Sequence, residues 1–465
     1  MGPDPRALGD PQTALKDGLR IALAADSPLR RMLPDDTGER LRQVRRHLPT
    51  RAARALDRQI GGAGLRLDQA QFAAAFDAAS VRPHVPAEPI RLWIAPANFA
   101  GQGRAWAEAV NRHLPGASAR NMAVAGRIPY VADQLVAPQV YRDIAWQRAQ
   151  ERYVLQNYTH VLVESERPVF GTLYGRTCVE DVRRLRAKGL SVALISHGSD
   201  LRVPSDHARR HPFSPFAPDS GASPDVYGLP GECARPIVDA TTAKLEVQAR
   251  RNRDLLARFD GPVFVSTPDL LDDAPHAVWC PTVVDPEEWS RDAPVLERAV
   301  PRVVHIPSNG HLKGSAHIDA ALAPLAQTGL IDYRRLEAVG REELKREYEQ
   351  ADIVVDQVAM GLYGVASIEA MAAGRVVLAY LGEPVRERIR ADTGLEVPIV
   401  EVTPETLSPA LERLLADRAW ARSRAAEGSS YAYGVHDGAR SAAVLAGWLS
   451  LGRNSSRWDS DKNKS

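Results

Sequence analysis

The chain has 465 residues, enough for two or three domains, and its 44% apolar and 25% charged content is that of an ordinary globular protein. Its 59 basic and 58 acidic side chains leave a net charge of +1, without the basic surplus of a nucleic-acid binder. No apolar run approaches the roughly 18 to 20 residues that span a bilayer, the first residues lack the apolar core of a secretory signal, and Cys178, Cys233 and Cys280 form no paired or spaced ligand set; together these predict a reduced, cytoplasmic setting without a metal site.

Residues 1–88 are rich in Ala, Arg and Leu, and the spacing at 38–48 and 67–78 is helical, which predicts a small helical appendage. Arg30, Arg31, Arg40, Arg42, Arg45, Arg46, Arg51 and Arg54 make it locally basic, as a solvated helix face would be, or a face that meets an anionic membrane surface. Pro83, Pro86 and Pro89 mark a linker. Beyond it, short apolar runs alternate with helical segments. Strands are expected at 91–95, 159–164, 191–195 and 262–266, with helices around 106–112 and 179–188, the latter closed by Gly189. The stretch 204–236, rich in Pro, Ser, Gly and His, reads as an irregular insertion of the kind that serves as a binding loop or lid.

A second unit of the same kind follows. Strands are expected at 302–306, 332–339, 352–356, 376–380 and 398–402, with helices at 315–327, 341–350, 365–373 and 404–416. Strand–helix alternation implies parallel sheets with helices on both faces. The division is therefore an appendage (1–88), a first Rossmann-like domain (89–281), a linker (282–300), a second Rossmann-like domain (301–430), a C-terminal helix packing back (431–452) and a polar, disordered tail (453–465).

Four segments carry residues suited to chemistry. The buried strand 352–356 runs into the loop 357–364, and a helix opens at Val365 with Ser367 and Glu369 in its first turns. Free amides and the helix dipole at such a start hold phosphate well, and a carboxylate one turn in can take ribose hydroxyls. Alone, that acid equally serves the dipole. Ser308, Asn309 and Lys313 follow the first strand of this unit, at the sheet edge where α/β ligands bind, and a Lys there can neutralise a departing diphosphate. In the first unit, His197 and Asp200 follow the strand 191–195, and Gly101 and Gly103 follow the strand 91–95. The glycine pattern lacks the third Gly and the later acid of a dinucleotide site, so a nicotinamide cofactor is disfavoured.

Lys313-Gly314, the stretch from Gly361 to Gly374 with Tyr363-Gly364 and Glu369-Ala-Met-Ala-Ala-Gly374, and His197-Gly-Ser-Asp200 together resemble the GT4-like (group 1) glycosyltransferases. The resemblance covers residues 89–452. It implies a GT-B fold, with two Rossmann-like domains facing each other across a cleft, to which residues 1–88 are a helical addition. It further implies a metal-independent, retaining transferase with a nucleotide-diphospho-sugar as substrate and no cofactor, acting on a glycan, lipid-linked or small-molecule acceptor, in a setting such as polysaccharide or glycolipid assembly.

By that resemblance Glu369 takes the donor ribose, Lys313 and the amides after Gly364 take the diphosphate, and His197 sits beside the anomeric carbon. Tyr363, Val365, Ser367, Ser308 and Asn309 line the donor, while Gly101, Gly103 and Asp200 shape the opposing loops. The family has an acid where this chain has Gly361 and an Arg where it has Pro307, and Ser308, Asn309 or Asp356 stand as candidate replacements. Rival readings are an inactive nucleotide-sugar-binding scaffold, a GT-B nucleotide-sugar epimerase and an inverting transferase.

Overall fold

A computed structural model describes residues 67–126, 130–217, 231–290, 293–337 and 339–451. The basic arginines of the first 54 residues, the helical spacing at 38–48 and the tail after 452 lie outside these residues.

Two parallel sheets follow one another along the chain. The first has seven strands in the order β3-β2-β1-β4-β5-β6-β7. They are β1 (Ile90–Ala95), β2 (Ala117–Val124), β3 (Gln134–Val136), β4 (His160–Glu164), β5 (Ser191–Ser196), β6 (Val263–Val265) and β7 (Val278–Trp279). The second has five strands in the order β12-β11-β10-β8-β9. They are β8 (Arg302–His305), β9 (Asp332–Arg335), β10 (Ile353–Gln357), β11 (Val376–Ala379) and β12 (Val400–Glu401). Each order reverses once: between β1 and β4 in the first sheet, between β8 and β10 in the second. At such a switch point neighbouring crossovers leave in opposite directions and open a crevice beyond the strand ends, where α/β proteins bind ligands.

The central strands are apolar on both sides because helices cover both faces; Leu92, Trp93, Ile94 and Ala95 of β1 are all buried. Trp106 and Val110 of the helix Gln102–His113 pack on one face of this sheet with Leu445, Trp448 and Leu449 of the last helix, Ala439–Leu451. The C-terminal helix thus returns to the first half. Gly438 makes the return possible: its φ is +101°, and a Cβ there would lie 2.9 Å from the Cβ of Ala109. The outcome is the α/β, GT-B arrangement, two Rossmann-like halves whose strand ends meet.

Several elements differ from the sequence expectation. The insertion at 204–236 is not irregular throughout: Pro204–Arg210 is a helix, and a long helix Gly231–Arg258 begins within it. Residues 282–300 carry a short helix, Pro286–Trp289, capped by Asp285. One helix, Arg418–His436, runs through residue 430.

Candidate functional site

The second sheet builds its crevice from the ends of β8 and β10. After β8, Asn309 caps a single turn, Gly310–Lys313, by accepting from the amides of His311 and Leu312 at 3.1 and 3.3 Å. Gly314 turns the chain at φ +71°, and a Cβ there would meet Val358 at 2.8 Å. The turn therefore packs against the loop after β10, and the amide of Val358 donates to the carbonyl of Lys313 at 3.1 Å. Beneath it, His305 bridges the Val355 carbonyl and the Ser315 hydroxyl at 2.8 and 2.7 Å; burial pushes its pKa down to about 4, so the strut is neutral.

Asp356 organises the crevice. It sits where the register between β10 and β11 slips, a bulge that re-aims one side chain. Its carboxylate is buried, pairs with the Lys313 ammonium, and accepts from the Ser367 hydroxyl at 2.5 Å. The Lys313 side chain is 20% exposed, so its charge is held at the rim of the crevice. Gly364 forms the N-cap of the helix Val365–Ala372 in extended conformation, with no side chain over the first amides. Ser308 and Asn309 are exposed at the mouth.

Glu369 lies one turn into that helix and is buried. Burial pushes its pKa up to about 8, against the pull of Arg341, whose guanidinium lies 3.8 Å away. Burial outweighs that ion pair because Arg341 is engaged more closely by Glu288, at 2.6 Å, and rests over the ring of Trp289. The hydrogen bond from Arg341 pulls Glu288 down to about 2. Tyr130 of the first half faces the same charges: burial, then Glu369, raises its pKa. Gly101 packs on the Tyr130 ring, where a Cβ would stand 3.6 Å away. Gly101 and Glu369, singled out in separate halves, are thus joined through Tyr130.

Tyr363 is a correction. Its side chain is not available to a donor: it is buried, and its hydroxyl meets Tyr431 and the Nε2 of His436 at 3.0 Å each. His436 also meets the Thr282 carbonyl at 2.7 Å, so this cluster ties the second half to the linker.

In the first half the loop after β1 is closed by its own acid. Glu164, at the end of β4, accepts from the amides of Ala97 and Asn98 at 3.0 Å. A Cβ at Gly103 would lie 3.0 Å from that carboxylate, tighter than an ordinary contact, so the glycine lets the helix start approach Glu164 closely. With those amides taken, this loop does not offer them to a phosphate. His197 joins the same group. Its Nε2 is 3.2 Å from Glu164, its ring lies 5.3 Å from those of Phe99 and Trp106, and only 9% of its side chain is exposed. Asp200 accepts from the amides of His197 and Gly198 and folds the turn. Ser165 and Glu166, after Glu164, hold left-handed backbone at φ 57° and 54°, strain typical of functional sites. Glu166 is buried and raised well above its ordinary value by burial and Asp200.

The described part of the insertion touches both halves: Ser205, Asp206 and Arg210 bond to Glu246, Arg253 and Asp273 of the first, and His207 and His211 reach the second. His207 Nε2 meets the Met360 carbonyl at 3.1 Å, and His211 Nδ1 meets the Tyr380 hydroxyl at 3.3 Å. A Cβ at Gly361 would stand 2.4 Å from His211, so the imidazole fills the room that any side chain at 361 would need. The segment thus packs against the loop after β10. Farther along, Arg388 of the second half pairs with Asp272 of the first. Among the described residues no group of three His, Cys, Asp or Glu is placed to hold a metal ion, and no helix is long and apolar enough to cross a membrane.

No protein-family model matches the chain, and no curated protein matches its sequence. Solved structures do resemble it. A sucrose-phosphate synthase from Thermosynechococcus elongatus is 16% identical over 78% of this chain and 98% of that one, with a TM-score of 0.48. A glycosyltransferase from Rickettsia africae is 12% identical over 79% and 100%, with a TM-score of 0.48. Anabaena HepE, solved with UDP and glucose, is 14% identical over 79% and 100%, with a TM-score of 0.47.

Proposed function

We propose that the chain is a glycosyltransferase that moves a sugar from a nucleotide-diphospho-sugar on its second half to an acceptor held by its first. One observation carries the reading. At the β8/β10 switch point a rim ammonium (Lys313), an uncapped helix start (Gly364–Val365) and a buried carboxyl one turn on (Glu369) face the same crevice. That is the order in which a diphosphate and a ribose present themselves. The corresponding amides of the first half are occupied by Glu164, which leaves the second half as the nucleotide side.

In this reading Asp356 holds Lys313 ready, and the diphosphate takes over the ammonium when the donor arrives. The bond from the anomeric carbon to the diphosphate oxygen breaks, and its electron pair stays on the diphosphate. The acceptor oxygen forms the new bond and gives its proton to the departing phosphate, so the chemistry needs no protein base and no metal, and retention follows from attack on the leaving-group face. Lys313 and the helix start stabilise the charge that develops. His197 and Glu164 shape the acceptor wall, and closure of the halves keeps water from the donor. Cytoplasmic work on a polysaccharide or glycolipid, with the N-terminal arginines at a membrane surface, is the setting we propose.

The test is release of nucleoside diphosphate from UDP-glucose, GDP-mannose and ADP-glucose with mixed glycan and lipid-linked acceptors, with and without chelator. One donor should be turned over irrespective of chelator, and Lys313→Ala should lower the rate about 100-fold or more. Nucleotide binding without turnover of any donor would favour a scaffold, and interconversion of the donor sugar an epimerase.

A further inference from the structure

The segment from His207 to Pro215 is anchored in the first half, where Arg210 pairs with Asp272 and Asp273 at 3.1 and 3.0 Å, and it also reaches across to the second. His207 Nε2 donates to the Met360 carbonyl, the His211 ring lies edge-on to Tyr380 at 5.8 Å, Phe213 lies edge-on to the same ring at 6.2 Å, and Pro215 reaches His311 beside Lys313. The strap therefore runs along the two loops that would grip a diphosphate. The His207 and His211 rings stack at 4.3 Å, and Ser214 holds His207 Nδ1 at 2.7 Å, so His211 is set in place by its own element.

The direction of the bound donor follows from the site proposed above, on which this inference rests. With ribose at Glu369 and phosphates at the Gly364–Val365 amides, the next group lies back along the loop toward Gly361. Gly361 has φ +65° and no side chain, and the group that faces it is the His211 imidazole. Nδ1 is turned to Tyr380, and among the described residues Nε2 meets no hydrogen-bonding group.

We propose that His211 is the donor-sugar contact and a determinant of sugar specificity, its Nε2 hydrogen-bonding a hydroxyl of the transferred sugar and Tyr380 fixing the ring. Burial and the neighbouring guanidinium of Arg210 lower the His211 pKa, so it works as a neutral imidazole that donates or accepts according to tautomer. Because the contact comes from the opposite half, recognition of the sugar is tied to closure of the two halves.

The experiment compares a nucleoside diphosphate with its sugar conjugate (UDP with UDP-glucose, GDP with GDP-mannose, ADP with ADP-glucose) on the full chain. Affinity is read for wild type, His211→Ala and His211→Gln. Wild type should bind one conjugate more tightly than its diphosphate. His211→Ala should keep diphosphate affinity within about twofold while the gain from the sugar falls about tenfold, the size of one hydrogen bond; His211→Gln should keep most of the gain. An unchanged gain in His211→Ala overturns the proposal. So does loss of diphosphate affinity in that variant, which would make the strap a support of the loop. A wild type that binds no nucleoside diphosphate overturns the donor site itself and this inference with it.

Discussion

Glu369→Gln offers a prediction whose sign and size both follow from burial. The carboxyl titrates near 4.5 when the chain is unfolded and near 8 when it is folded. Between those values the folded state holds a proton that the unfolded state has lost, so stability from this group is full below about pH 4.5 and is lost as pH rises through about 8. At about 1.4 kcal/mol per pH unit the whole window is worth roughly 5 kcal/mol at most, the opposing pull of Arg341 being already contained in the folded value. Gln keeps the shape and hydrogen-bonding capacity but has no proton to lose. Urea midpoints of both proteins, followed from about pH 5.5 to about pH 7.5, should show wild type losing roughly 2 to 3 kcal/mol more than the variant. Parallel curves would show that Glu369 is already ionised and that Arg341 or solvent outweighs burial. The same reasoning touches function: ribose hydroxyls donate best to the ionised carboxylate, so nucleotide binding should release a proton and tighten as pH approaches 8.

Other outcomes follow from individual contacts. Lys313→Ala strands the buried Asp356 carboxylate, whose other partner is Ser367, and should cost about 2 to 3 kcal/mol by thermal unfolding besides weakening nucleoside diphosphate binding; adding Asp356→Asn should restore most of the stability but none of the affinity. Tyr363→Phe removes a hydroxyl shared by Tyr431 and His436 and should lower stability by about 1 kcal/mol while nucleotide affinity stays unchanged. A loss of affinity there would return Tyr363 to the donor. Gly361→Ala places a Cβ in left-handed backbone against His211 and should lower the melting temperature by several degrees, in part relieved by His211→Ala.

The sequence carried the strand–helix alternation because the central strands are apolar on both faces and end at Gly or polar turns. It hid the strands whose residues do not look like strands. β2 reads Ala-Ser-Ala-Arg-Asn-Met-Ala-Val, and its small side chains are buried only because Trp106 and Val110 lie over Ala117 and Ala119. The same divide runs through the site. Lys313, the Gly364 helix start and Glu369 lie within short local patterns and could be singled out from spacing. Glu164, Arg341, Tyr130 and His211 could not, because each meets its partner across dozens to hundreds of residues. Glu164 reads as the last residue of a strand, and only the fold shows it closing the loop at Ala97 and Asn98. Tyr363 misled for a related reason: its neighbour Gly364 belongs to the crevice, but its own side chain turns toward Tyr431 and His436 of the helix Arg418–His436.

The β8/β10 crevice should bind a nucleoside diphosphate. Thermal unfolding of wild type and Glu369→Ala with UDP, GDP, ADP and NAD tests it directly. A ligand that binds only the folded chain adds about 2.7 kcal/mol at a hundredfold excess over its dissociation constant, a shift of several degrees. One diphosphate should give that shift in wild type and lose it in Glu369→Ala; no shift with any diphosphate, or a shift with NAD alone, would contradict the account.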